Sequence, residues 1–296
     1  MILEQVITQH TTHNTVYLNS HGVRYQTTQG SYGVSVMFSG HEDEKSSSFN
    51  YTGFSTASLD RPFLEMGGLR QNLEDAQNQI HTRQTEGKFE GTVIFTPDCL
   101  DGMLGELIGN FATDGVLLDG TSLWKDALGT RVADERLTIS FKPSDPRIVN
   151  GERYTGEGFL SEDYDLIERG VLKQFMISAY GANKTGKKRA PNSSFSMIVK
   201  PGTTALEDII KNTKKGLLVS RYSGGAAGTG GEFSGVAKNS FLIEDGKVGP
   251  AVSETMISGN LAGMLKHIAG ISRETVEDGN CSLPWLAVNG ITISGK

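Results

Sequence analysis

The stretch Thr96-Pro97-Asp98-Cys99-Leu100-Asp101-Gly102-Met103-Leu104-Gly105-Glu106-Leu107-Ile108-Gly109-Asn110-Phe111 constrains the fold most, because it reads as one amphipathic helix set into a core. Thr96 is placed to cap the helix with its hydroxyl. Pro97 suits the first helical position, where its missing N–H is no loss, and Asp98 complements the positive helix end. Leu100, Met103, Leu104, Leu107, Ile108 and Phe111 recur at helical spacing and define the core face. The remaining face carries Gly105, Glu106, Gly109 and Asn110. Interior glycines each cost about 1 kcal/mol relative to alanine, so close packing or ancestry must favour them.

Around this helix the chain reads mainly as strands. Thr15–Asn19 and Val23–Thr27 flank the turn Ser20-His21-Gly22, and a third alternating run, Tyr32–Ser39, follows a break at Gly30-Ser31; residues 40–48 form a polar loop. From Leu59 to about Arg83 the pattern is helical, with Leu64, Leu69, Leu73, Ala76 and Ile80 as its apolar stripe and an interruption at Gly67-Gly68. Thr92–Phe95 is a strand entering the central helix. Arg169-Gly170, Asp245-Gly246 and Asn289-Gly290 read as hairpin turns, and only Leu206–Lys214 and Asn260–His267 look helical in this half. Segregated strands and helices predict an α+β protein. Its expected parts are a small sheet-plus-helix unit over residues 1–88 and a largely antiparallel, barrel-like domain with a few helices over 89–296.

Composition narrows the function classes. A chain of 296 residues with 37% hydrophobic content has room for two domains and carries no apolar run of the about 18 residues that a membrane span needs. Met1-Ile2-Leu3-Glu4-Gln5 lacks the charged flank and apolar core of a secretory signal, so a cytoplasmic location is expected. Cys99 and Cys281 are the only cysteines and are expected to be reduced thiols. A net charge of -6 argues against a nucleic-acid partner.

Gly105-Glu106-Leu107-Ile108-Gly109-Asn110 resembles the His-Glu-x-x-Gly-His helix of the TldD half of the TldD/PmbA (TldD/TldE) metalloprotease family. Gly105 and Asn110 stand where two histidines would be, and Glu106 alone keeps its chemistry. The resemblance continues in order. Gly120-Thr121-Ser122 through Gly129-Thr130-Arg131-Val132 is similar to the family's Gly-Arg-Ser stretch, and Gly231–Ala237 and Glu254–Leu261 are similar to its C-terminal signatures, so that residues 14–295 are covered.

The resemblance implies a two-subunit system in which TldD bears zinc and PmbA (TldE) is metal-free. Together they trim leader peptides, such as that of a microcin precursor, and degrade unfolded peptides. This chain falls on the PmbA side. Zinc needs three protein ligands of the histidine, cysteine or carboxylate type, which neither glycine nor an asparagine amide replaces, so no metal and no cofactor is expected. Glu106 is the one catalytic candidate, a base with no metal-bound water to deprotonate. Two functions stay open: a non-catalytic peptide-binding subunit that assists a TldD-like zinc-bearing partner, and a self-sufficient peptidase using Glu106, Cys281 or an unrecognised site. The expected partners are a peptide, the zinc-bearing subunit and a second copy of this chain. The resemblance also implies a front region ahead of the matched strands, which this chain is expected to lack, leaving its cavity more open.

The expected peptide contacts are Ser122, Gly224, Gly225 and Ser234, the glycines opening the densest glycine run of the chain, Gly224–Gly231. Such a loop lets backbone N–H groups approach a ligand, and an extended peptide can also add to a sheet edge. Lys184-Thr185-Gly186-Lys187-Lys188-Arg189 half-matches a phosphate loop but has Lys188 where the metal-binding hydroxyl belongs, and reads as a solvated basic loop. His10 and His13 would share a helix face, yet they sit in a polar, threonine-rich context. Cys281 lies close to where the active subunit supplies its third zinc ligand, but without the surrounding pattern.

Overall fold

In the computed structural model, which describes residues 1–296, strands dominate and the helices are few, the longest being Pro97–Phe111, an α+β arrangement as the sequence implies. Five strands close into a ring. Lys88–Phe95 pairs antiparallel with Ser282–Ser294 and parallel with Lys215–Gly224. The latter pairs with Glu232–Glu244, which pairs with Met256–Asn260, and this short strand returns to Ser282–Ser294. Closure leaves these strands no open edge over the paired stretches. Further strands extend the sheet outward, with Met197–Val199 and Ile139–Phe141 on one side and Lys247–Ser253 and Thr82–Gln84 on the other.

Both faces of the ring are covered, which explains why Val93, Ile94 and Phe95 are all apolar in succession and all fully buried. Val93 and Phe95 join the main core around the helix Pro97–Phe111. Ile94 points the other way and packs with Ile209, Ile243 and Ala287 beneath the helix Leu206–Lys211. No helix is long and apolar enough to cross a membrane.

A separate three-stranded antiparallel sheet is formed by Ile2–Leu18, Arg24–Ser39 and Asn50–Thr56. The helix Leu69–Asn78 closes its apolar side, burying Val34, Val36, Phe38, Phe54, Met66, Leu69 and Ala76 together. Two expectations change here. Gly30-Ser31 does not break the strand, because Gly30 pairs with Thr12 and Ser31 with Thr11 within Arg24–Ser39; the one irregularity against Ile2–Leu18 lies between Leu3 and Gln5. The helical stretch expected from Leu59 to about Arg83 is interrupted at Gly67-Gly68 as expected, both at left-handed φ of 55° and 73°, but only a short turn at Phe63–Glu65 and the helix Leu69–Asn78 form, and Thr82–Gln84 is a strand. A Cβ on Gly67 would lie 2.7 Å from Phe54, so glycine is needed for close approach as well.

The turns at Arg169-Gly170 and Asp245-Gly246 form as expected, each with positive φ at both residues. Asn289-Gly290 does not turn the chain. Ser282–Ser294 is one strand, and both flanking runs pair with the same neighbour, Lys88–Phe95, across an irregularity between Val288 and Ile291. The dipeptide is therefore a bulge, with Gly290 at φ 79° and the Asn289 side-chain oxygen accepting from Thr92 Oγ1 at 2.7 Å. Two helices were also not expected, Asp114–Leu118 and Ala179–Thr185. The second takes in only the first two residues of the segment Lys184–Arg189 read as a loop, whose remainder lies outside helices and strands: the Gly181 N–H donates to Ser178 Oγ at 3.2 Å to cap the helix, and Gly186, at φ 69°, ends it.

Candidate functional site

The helix Pro97–Phe111 begins as its sequence implies, with Thr96 Oγ1 accepting from the Cys99 N–H at 3.5 Å and Pro97 in the first turn. Its core face is sealed: Leu100, Leu104, Leu107, Ile108 and Phe111 are fully buried. Its other face opens on a cleft of about 450 Å³. Gly102 and Glu106 line the cleft from the helix, Arg221, Tyr222, Ser223 and Gly224 from the end of a ring strand, and Gly225 and Ala226 from the glycine loop. Tyr51 reaches in from the small sheet. A Cβ added at Gly102, Gly105 or Gly109 would meet nothing within 4 Å, so close packing does not require these glycines.

Glu106 is tied to the loop. Its carboxylate accepts a hydrogen bond from the Ala227 N–H, pinning the glycine run against the helix. Beside it, the Tyr222 hydroxyl is buried without a partner; burial pushes this phenol above its ordinary range, and the Glu106 charge adds to the shift. Gly224 is required by that ring, since a Cβ there would fall 2.1 Å from Tyr222 Oη. Gly231, at φ 88°, would press a Cβ within 2.8 Å of Phe111. Gly225 has open space around it.

Of the four expected peptide contacts, the structure brings Gly224 and Gly225 into one cleft with the catalytic candidate Glu106 and leaves Ser122 and Ser234 outside its lining. Ser122 is 3% exposed, and its hydroxyl donates to the Phe111 carbonyl at 2.6 Å while accepting from the Trp124 N–H at 3.0 Å. It closes the C-terminal end of the helix. Ser234 is exposed on the strand Glu232–Glu244, paired across from Ser258. Arg221 was missed by sequence reasoning. Its guanidinium lies 3.8 Å from the Tyr51 ring centroid, joining ring and small sheet across the cleft mouth. Nothing local in the sequence marks that pair.

The remaining candidates have structural explanations. His10 and His13 lie on a strand, where an odd spacing sends them to opposite faces, and His10 packs on Tyr32. Lys187 donates to the Lys125 carbonyl at 2.7 Å and covers Phe175, and Arg189 stacks 3.9 Å over Phe159. Cys99 is buried and its thiol is pushed up to about 12, first by burial and then by Asp98. Cys281 is likewise shifted upward by burial and then by Asp101, whose carboxylate its Sγ meets at 3.4 Å. Both are protonated thiols at neutral pH, poor nucleophiles and poor ligands.

Residues 87–295 match the family model described as the PmbA/TldA metallopeptidase C-terminal domain. The chain belongs to this family. A Haemophilus influenzae protein named as a PmbA metalloprotease homologue is 25% identical over 289 residues, covering 95% of this chain and 62% of the relative. A Saccharolobus solfataricus protein named as a zinc metalloprotease TldD homologue is 30% identical over 222 residues, or 70% of this chain and 50% of the relative. The solved TldE of Thermococcus kodakarensis superposes with a TM-score of 0.80 at 23% identity, over 94% of this chain and 66% of that one, which speaks for the fold. The chain thus spans between half and two thirds of the length of these relatives.

The PmbA/TldA family name implies a metal, and the residues present do not fit one. Gly105 and Asn110 offer no imidazole, and no group of three His, Cys, Asp or Glu side chains comes together to hold an ion. The cleft retains instead a carboxylate engaged by a backbone amide, an exposed glycine face and a buried phenol.

Proposed function

We propose that this chain is a non-catalytic, PmbA/TldE-like subunit that holds peptide for a TldD-like zinc-bearing partner in peptide maturation or degradation. The observation carrying this reading is the open face of the helix Pro97–Phe111: the two positions matching the family's histidines hold Gly105, with open space where a side chain would go, and Asn110, whose amide is no substitute for imidazole, and Glu106 is engaged by Ala227. The cleft beside it has exposed backbone at Gly225 and an aromatic and cationic mouth at Tyr51 and Arg221, features suited to an extended peptide. Glu106, Gly224 and Gly225 are its proposed contacts, with Ser234 at the neighbouring strand; Ser122 acts behind them by holding the helix end. In the same reading residues 89–296 form the peptide-handling domain and residues 1–88 an accessory unit. The protein works in the cytoplasm and, alone, pairs with a second copy of itself.

The test combines metal content with activity. The purified chain, incubated with zinc and desalted, is expected to retain no stoichiometric metal and to leave a leader peptide intact. Addition of a TldD-like subunit with an intact histidine-bearing helix is expected to start cleavage. Cleavage by the chain alone that vanishes in Glu106→Gln would overturn the reading in favour of an independent peptidase.

A further inference from the structure

Behind the strand Lys215–Gly224, on the face turned away from the main core, lies a larger hollow of about 710 Å³. The helix Leu69–Asn78 forms one wall and the helix Leu206–Lys211 the other, and the ring strands supply the floor. Leu206, Ile210, Leu218, Phe241 and Trp285 make much of it apolar. Pockets of this size and character are where ligands with an apolar body bind.

Three features of the lining remain unanswered. Ser220 stands on the floor beside Leu218; the residue is 5% exposed, and its hydroxyl has no hydrogen-bond partner. Leaving a buried hydroxyl unpaired costs about 1–3 kcal/mol, which a polar atom of a ligand would recover. Asp75 and Asp98 stand on the wall and at its end, bonded by the neutral amides of Gln71 at 2.8 Å and Asn72 at 3.0 Å, and neither forms a salt bridge. Burial is the first cause raising the half-buried Asp75 carboxyl above the ordinary carboxylate range; Asp98, exposed at the rim, is raised by desolvation first, with Asn72 and Arg221 opposing the shift. No lysine or arginine lines the hollow; its third carboxylate, Glu274, is already met by Arg273 at 3.3 Å and by the Leu206 N–H at 2.8 Å, and His81 at its border is engaged by Glu42. Finally, Val248 and Gly249 border it on a strand whose second neighbour, Thr82–Gln84, pairs only with Ala251–Ser253. That leaves main-chain groups open for another strand-like segment.

We propose that this hollow is a second peptide-docking site, taking a short extended segment in which an aliphatic or aromatic side chain rests on Leu218, Ile210 and Trp285 and an adjacent lysine or arginine answers Asp75 and Asp98. The inference does not rest on the function proposed for the Glu106 cleft. A basic apolar segment is favoured because the apolar floor needs covering while Asp75 and Asp98, the two carboxylates of the lining without a salt bridge, call for a cation.

Trp285 supplies the reporter, since the other tryptophan, Trp124, is buried in the main core. The whole chain is titrated with N-acetyl-Leu-Arg-Leu-amide and with its Leu-Glu-Leu counterpart, following tryptophan emission and, separately, heat. The basic peptide is expected to bind saturably and about tenfold more tightly than the acidic one, a difference of ~1.4 kcal/mol. Asp75→Asn is expected to remove most of that preference, and Ile210→Glu to abolish binding while the chain keeps its circular-dichroism spectrum. Trp285→Phe is expected to remove the optical signal and leave heat of binding. Equal affinity for the two peptides, no binding of either at millimolar concentration, or a preference unchanged in Asp75→Asn overturns the proposal. The peptide pair decides on the unaltered chain even where a variant fails to fold.

Discussion

The helix Pro97–Phe111 turns two unlike sides to the molecule. On one, Leu100, Leu104, Leu107, Ile108 and Phe111 are fully buried and every side chain is fixed by what surrounds it. On the other, Gly102, Gly105 and Gly109 have open space where a side chain would go, and the specific contacts are made by carboxylates: Asp98 with Asn72, Asp101 with Cys281 and Glu106 with the Ala227 N–H. The two sides therefore answer to different constraints. Packing dictates the first almost residue by residue. The second is free of the fold's demands, so its residues record what the helix does, or has ceased to do, for a ligand.

The largest expected effect lies where the two sides meet. Phe111 ends the core stripe, contacts Trp124 with ring centroids 5.2 Å apart and also bears against Gly231 of the glycine loop. Phe111→Ala is expected to lose about 3–5 kcal/mol in urea unfolding, the range for deleting a buried aromatic. A loss below about 1 kcal/mol would show that the helix end is not packed as described. Gly231→Ala comes next. Its left-handed φ costs a non-glycine residue about 1–2 kcal/mol, and its Cβ would also crowd the Phe111 ring. The double variant sharpens the comparison: with the ring gone, the crowding part of the Gly231→Ala cost is expected to disappear, so the two losses should sum to more than the double variant shows.

The sealed side was readable in the sequence because its signals are local: a cap at Thr96, a proline at the first position and an apolar spacing of three and four. A barrel-like domain was expected and forms, but which strands close it was not readable. Closure depends on Met256–Asn260 bridging Glu232–Glu244 and Ser282–Ser294, a pairing that no local pattern encodes. Asn289-Gly290 misled for a related reason: the same positive-φ preference serves a hairpin turn and a bulge, and only a neighbour shared by both flanking runs distinguishes them. On the open side, family resemblance pointed to Glu106 and the glycine loop, which do meet. Tyr51 and Arg221 escaped because they come from separate sheets and meet only in the folded chain. The seven-residue helix Ala179–Thr185 was hidden by Gly181, whose missing side chain makes room for Asp114.

Smaller effects probe the open side directly. Glu106→Ala removes the carboxylate that holds the Ala227 N–H. Because the site is only half-buried, the expected loss is about 1 kcal/mol, below the range for fully buried bonds to charged groups. The clearer readout is hydrogen exchange, where the Ala227 amide and the neighbouring glycines are expected to exchange faster while amides in Lys88–Phe95 keep their protection. Unchanged exchange at Ala227 would mean that the loop is held by its own turn, closed by the Gly228 N–H donating to the Glu232 carbonyl at 2.9 Å, and not by the helix.

Gly105→Ala carries the smallest expected effect, and its sign is what matters. Nothing lies within 4 Å of the added Cβ, so the substitution introduces no clash. What remains is the helix preference for alanine, worth a gain of about 1 kcal/mol at an interior position. Thermal unfolding of the isolated chain is expected to move upward by about 2 °C for that gain in a protein of this size. A loss of stability at the same position would mean that the glycine face is pressed against another surface in solution, as a second copy of the chain would press it. The face would then be constrained by packing after all, and the contrast between the two sides of the helix would hold only for the monomer.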